Sequence, residues 1–355
     1  MYTMKIKSFS FPVSGAAFWR GLVIGMFGFT VFCAFAASAA PRGEFQIRDP
    51  FVVPEGGTYY LYESKPWYGG DGVFVRTSRD LETWTDKTRV MSIPAGIKCT
   101  AVWAPEVHKY NGKYYLFVTI TEEDGVREVK PMVEGVDLKR IHPRGTWVFR
   151  SDTPDGEFLP VADGPVTPKD WVCLDGTLVV DGGVPYMVFC HEWVQTKIGR
   201  MCYARLKDDL SGLASEPVTM FSAADAIPGA GRVTDGPFFL RSEKSGALHM
   251  IWSNGVKGKG YCALVRTSAS GRLGGPWTKD KVLFGRDGGH GMIFRTFEGK
   301  LKLTLHQPNK TPYERMRLFD IEDDGATLRL SRSSMPASPG RVETVLSFFM
   351  DRTRF

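Results

Sequence analysis

The chain has 355 residues, of which 43% are apolar and 24% charged, and a net charge of +6. That balance excludes an intrinsically disordered chain. Acidic and basic residues alternate without a Lys/Arg block, so no nucleic-acid partner is expected.

The first element is a targeting segment. Lys5, Lys7 and Arg20 form a positive region, residues 21–37 an apolar run, and Ala37-Ser38-Ala39 a small-x-small cleavage site. This pattern predicts a signal peptide over 1–39 and a mature domain over 40–355, exported to the periplasm or the cell exterior and free of the membrane after cleavage. An uncleaved anchor is the alternative. Five cysteines would remain (Cys99, Cys173, Cys190, Cys202 and Cys262), and an odd number at irregular spacing reads as buried free thiols rather than a disulfide framework.

A repeat follows. A glycine turn leads into an aromatic and aliphatic strand at Gly57, Gly112, Gly183, Gly246 and Gly299, with spacings of 55, 71, 63 and 53 residues. Before each turn lies a strand opened by a polar motif, and after it come a third strand and a tail that leads to a fourth. Aromatic content of 13%, with 39 Gly and 22 Pro, suits many short strands joined by turns. Five units of four strands predict an all-β fold, a five-bladed β-propeller with four-stranded antiparallel blades. The charged stretch from Glu122 to Arg144 interrupts the repeat and is expected to be a loop beside the site.

The opening motifs are Arg48-Asp49-Pro50, Trp103-Ala104-Pro105-Glu106, Leu174-Asp175-Gly176, Thr234-Asp235-Gly236-Pro237 and Gly289-His290-Gly291. Innermost strands of a propeller converge on its axis, so the five motifs would supply Asp49, Glu106, Asp175, Asp235 and His290 there. Glu106 sits one step off and is expected to face the blade interior. A buried carboxylate cluster is costly unless paired or neutralised. It suits inverting glycoside hydrolysis, in which one carboxylate activates water and a second, kept protonated, protonates the leaving oxygen.

Together with Ser78-Arg79-Asp80-Leu81-Glu82-Thr83-Trp84, these motifs resemble glycoside hydrolase family 43, five-bladed propellers that cleave arabinofuranosides and xylosides, over Arg48 to about Asp320. The resemblance implies Asp49 as general base and Asp175 as the residue that orients the acid and raises its pKa. It places His290 near an axial calcium held through water, with no other cofactor required. The family's general acid is usually Glu in a Glu-Gly-Pro motif, and the matching position here is Asp235, one methylene shorter. Glu192, at the end of the second strand of blade three, is the alternative acid, unless it caps a loop or pairs with Arg200. Trp103, Trp193 and Arg232 are candidate contacts for an oligo- or polysaccharide substrate. Trp171 and Trp252 lie near the same face, where blade packing is their expected role. The chain is expected to act as a monomer. Two other readings stand: a catalytically silent carbohydrate-binding propeller, and a retaining hydrolase of the fructan-cleaving type with Asp49 as nucleophile.

Overall fold

Burial follows the strand period at the start of Thr58–Ser64, where Tyr59 and Leu61 are buried and Tyr60 between them is only partly covered; Leu61, Tyr62 and Glu63 are then buried in succession, so the rest of the strand is covered on both faces. All five repeat glycines hold left-handed φ values between +74° and +81°, which a side chain would strain. Each closes a hairpin between the first and second strands of a blade. The computed structural model describes residues 39–65 and 69–334. The expected signal peptide over 1–39 therefore lies, apart from Ala39, outside the described residues, as does the stretch 335–355 of the expected mature domain.

Five antiparallel four-stranded sheets follow one another along the chain. Blade one comprises Phe51–Glu55, Thr58–Ser64, Gly72–Ser78 and Thr88–Ser92. Blade two comprises Cys99–Tyr110, Lys113–Glu122, Arg144–Ser151 and Leu159–Pro160. Blade three comprises Cys173–Asp181, Val184–His191, Arg200–Arg205 and Val218–Ser222. Blade four comprises Asp235–Arg241, Leu248–Val256, Gly260–Ser268 and Lys281–Phe284, and blade five Gly289–Arg295, Leu301–Gln307, Arg315–Asp323 and Leu328–Leu330. The first strand of each blade touches the first strands of both neighbours, and that of blade five touches that of blade one. The sheets thus form the closed five-bladed propeller expected from the repeat. A short strand at Ala39–Pro41 pairs with Thr83–Thr85 outside the blades.

Large side chains fill the spaces within and between blades. Trp84, Trp147, Trp252, Phe117 and Phe189 are fully buried, each contributing about 1.5–3 kcal/mol or more by leaving water. Cys173, Cys190, Cys202 and Cys262 are buried free thiols, and Cys99 is a half-buried one.

Among the described residues each blade is one uninterrupted run of chain, and no strand crosses from the last blade to the first. The seam is held instead by Glu314, whose side chain is fully buried. It accepts hydrogen bonds from Arg48 Nη1 at 2.9 Å, from Gln46 Nε2 at 3.0 Å and from Thr311 Oγ1. The Ile47 N–H donates to the Glu314 carbonyl at 3.2 Å. Residues 46–49, which lead directly into the axial motif, are thus tied to blade five.

Candidate active site

The axis is built from five residues with left-handed backbone. Asp49, Ala104, Asp175, Gly236 and His290 have φ of +49°, +48°, +55°, +49° and +47°, each followed by Pro or Gly. In blades two to five the strand register also breaks at this point. Four of the five are not glycine, at about 1–3 kcal/mol each, the kind of strain that collects at functional sites. This equivalence corrects the expected phase. Gly236, not Asp235, matches Asp49 and Asp175, so Asp235 lies one residue earlier and approaches from its own blade. Likewise Ala104, not Glu106, holds the axial position in blade two. Glu106 is buried, and its carboxylate lies 3.0 Å from His108 Nε2.

Three of these motifs meet around one imidazole. His290 Nδ1 lies 3.3 Å from Asp49 Oδ1 and 3.8 Å from Asp175 Oδ2. The His290 N–H donates to Ser253 Oγ at 2.7 Å. Desolvation opposes the charge of His290, but Asp49, Asp175 and Asp235 outweigh it and raise its pKa. Asp49 also faces His306, whose Nδ1 is 3.2 Å from Oδ1 and 3.3 Å from the Asp49 backbone nitrogen. Burial alone would raise the Asp49 pKa, yet His290, His306 and Arg48 hold it well below the usual carboxylate range.

The other two aspartates move the opposite way. The Asp175 N–H donates to Thr119 Oγ1 at 2.9 Å, and its Oδ2 accepts the Gly236 N–H at 2.9 Å. Burial, with Asp235 and Asp49, raises Asp175 to about 8 against the pull of His290. Burial also raises Asp235, to about 6, opposed by His290 and by the Tyr261 hydroxyl, which donates to its Oδ2 at 2.9 Å. Glu192 and Asp49 push Asp235 further up. One carboxyl is thus pushed towards its ionised form and two towards their protonated forms, an opposition that acid–base catalysis can use.

Glu192 is brought to this centre but is already engaged. Its Oε2 accepts from Arg144 Nη1, and the Arg144 Nε donates to Thr121 Oγ1 at 2.8 Å. Its expected partner Arg200 is replaced by Arg144. Glu192 also holds the position before the single helical turn Trp193–Thr196, without a side-chain bond to it. The Arg144 guanidinium lies over the Trp103 ring, 4.5 Å from its centre. Trp193 has Arg232 at 4.4 Å and Arg140 at 5.5 Å from its ring centre. Trp171 stacks on His191 with ring centres 4.1 Å apart, and Trp252 is a core residue that donates to Asp280.

Several residues were not anticipated. His306 is the last residue but one of the second strand of blade five, and His191 the last of that of blade three, so a reading of strand ends could have found it. Nothing in the sequence marks Tyr261 or Arg144. Gln195 is fully buried: its amide donates to the Lys130 and Asp170 carbonyls and its Oε1 accepts the Val172 N–H. That side chain pins the 122–144 loop to blade three.

The His290 Nε2 atom is buried and has no hydrogen-bond partner among the described residues. It could bond a water that in turn binds a cation. Calcium takes oxygen ligands, and the described residues contain no group of three or more His, Cys, Asp or Glu placed to hold a metal directly. Gly236 closes the other side of the ring. A Cβ there would stand 2.7 Å from His290 Cδ2, on a backbone with positive φ. Gly236→Ala is therefore expected to cost about 1–3 kcal/mol in denaturant unfolding and to lower turnover by displacing His290. Unchanged stability and rate would show that the ring is not held there.

A profile of Glycosyl hydrolases family 43 matches residues 40–326. The solved endo-arabinase of Bacteroides thetaiotaomicron is 33% identical, covers 81% of this chain and 98% of its own, and superposes with a TM-score of 0.70. The extracellular exo-α-(1→5)-L-arabinofuranosidase ArbA of Cellvibrio japonicus is 24% identical over 331 residues, 82% of this chain and 88% of that protein. A solved endo-1,4-β-xylanase of Bacteroides thetaiotaomicron, at 23% identity and a TM-score of 0.64, shares the fold over 83% of this chain.

Proposed function

The chain belongs to glycosyl hydrolase family 43 and is a glycosidase of arabinosyl or xylosyl linkages, and from that premise we propose an inverting hydrolysis run by Asp49 and Asp235. Asp49, ionised by His290, His306 and Arg48, takes a proton from water as the oxygen attacks the anomeric carbon. Asp235 passes its proton to the departing glycosidic oxygen. Asp175 reaches the same turn through the Gly236 N–H and shares the protons of the pair. The carrying observation is the convergence of Asp49 and Asp175 on His290, at 3.3 Å and 3.8 Å, with Asp235 held by the Tyr261 hydroxyl at 2.9 Å, an arrangement that lowers the Asp49 pKa and raises that of Asp235. Glu192 is not the donor in this reading, because its carboxylate is committed to Arg144. Its charge instead helps Asp235 to keep a proton. Trp103, Trp193 and Arg232 contact the sugar chain. A calcium ion, where bound, would be held through water at His290 Nε2 and would add positive charge at the axis.

The relatives include proteins named as extracellular, which supports an exported chain, as does the leader pattern in the sequence. No helix among the described residues is long and apolar enough to cross a membrane.

The test is hydrolysis of aryl α-L-arabinofuranosides, aryl β-xylosides and arabino-oligosaccharides, with the first-formed anomer read by NMR. Inverted product is expected. Retained product would replace the mechanism with a nucleophilic one, and binding without turnover would favour a silent carbohydrate-binding propeller, since Asp235 is one methylene short of the family's usual Glu.

The pH profile tests the proton donor. The Asp175–Asp235 pair titrates jointly, with raised values of about 8 and about 6. Activity should decline on the alkaline side and be lost above about 8, once the pair has given up both protons. Glu192→Gln removes a negative charge that favours protonated Asp235, so the alkaline limb should move to lower pH. A limb that stays in place would remove Glu192 from this role.

A further inference from the structure

A concavity of about 240 Å³ is lined among others by Gly135, Asp137, Arg140, Trp193, Lys197 and Arg232. Its charge is lopsided. Three cations face one carboxylate, and that carboxylate, Asp137, is 3.5 Å from Arg140. Among the described residues no carboxylate stands within ion-pair distance of Lys197 or Arg232. Arg232 instead lies over the indole of Trp193, and Lys197 Nζ points towards the open side of Gly135, 3.8 Å from where a Cβ would stand. The concavity is joined to the reaction centre by the chain itself: Trp193 follows Glu192, whose charge is felt by Asp235, and Arg232 precedes Asp235 by three residues.

The Trp193 ring is already met by Arg232 and Arg140, so what the concavity offers a ligand is positive charge. Guanidinium and ammonium groups without carboxylate partners suit an anion carried on a sugar ring, and planar Arg donors match a carboxylate in two-point contact. A pocket of this size takes one sugar residue rather than a chain. The geometry points to a subsite for an acidic sugar, a uronic acid residue attached near the arabinosyl or xylosyl bond that is cut. The inference rests on the glycosidase reading above and names the substrate class that reading leaves open.

The test compares a pentose-containing oligosaccharide bearing one uronic acid with the same compound after reduction of its carboxyl to an alcohol. The shape is conserved and only the charge is lost. The acidic compound is expected to show at least a tenfold higher kcat/KM, with the ratio shrinking as salt rises. Lys197→Ala and Arg232→Ala should each bring the ratio towards one, while Lys197→Arg keeps it. Equal rates for the two compounds in the wild-type protein would overturn the inference and leave the glycosidase reading intact. Calorimetric binding of both compounds to Asp49→Asn decides the preference even where no bond is cut. Tighter binding of the acidic compound, abolished by Arg232→Ala in that background, supports the subsite, and equal binding rejects it. Failure to cut any compound, with the binding preference present, would sink the glycosidase reading alone.

Discussion

Asp49→Asn is expected to lower kcat by about 10²–10⁴-fold with the fold intact. The substitution suits this position because Asn accepts the left-handed backbone nearly as readily as Asp, so the φ of +49° need not change. Only the charge disappears. Asp49 is the carboxyl that His290, His306 and Arg48 keep ionised, and the amide that replaces it cannot take a proton from water. A circular dichroism melt close to wild type, together with lost turnover and little change in KM, would identify the loss as chemical. A variant that keeps kcat within about tenfold would remove Asp49 as the base.

Glu314→Ala is expected to destabilise the protein by about 3–5 kcal/mol, since it breaks a buried ion pair from one side. The melting temperature should fall by on the order of 10 °C for a domain of this size. Alanine removes the shared acceptor of Arg48, Gln46 and Thr311 at the seam. Because Arg48 adjoins Asp49, activity should fall at temperatures where the rest of the protein is still folded. Desolvation opposes the Glu314 charge, but Thr311, Arg48 and Gln46 together lower its pKa below 4.5. A carboxyl with a lowered folded-state pKa contributes stability above its unfolded value and loses it as pH falls through the folded one. The wild-type seam should therefore weaken in acid, and a Glu314→Gln variant should show a flatter acid limb of stability. An unchanged melt for the alanine variant would mean that blade packing alone closes the ring.

The propeller was legible because its signals are local. Each repeat glycine marks a left-handed turn, and a turn followed by alternating aromatics reads directly from a few adjacent residues. The axial positions were legible in kind but not in phase. Reading Asp235 as the equivalent of Asp49 and Asp175 followed the acidic residue type. The Pro or Gly that follows each axial residue does not separate the two, since Asp235 is followed by Gly236 and Gly236 by Pro237; the left-handed backbone of Gly236 does, and a sequence does not show it. The Glu192–Arg144 pair was not legible, because it joins residues 48 apart on neighbouring blades and either had closer partners to offer. Tyr261 was hidden for the same reason: its hydroxyl reaches Asp235 from across the sheet, and nothing distinguishes it from the other tyrosines that fill blades.

The absence of a shared strand at the seam has a mechanical meaning. Everywhere else two adjoining sheets are also linked by a covalent connection; here, among the described residues, only side chains and a few backbone bonds resist separation. Pulled from its ends, the molecule should give way first between its opening and closing sheets, parting Asp49 from His306 while the remaining four junctions still hold.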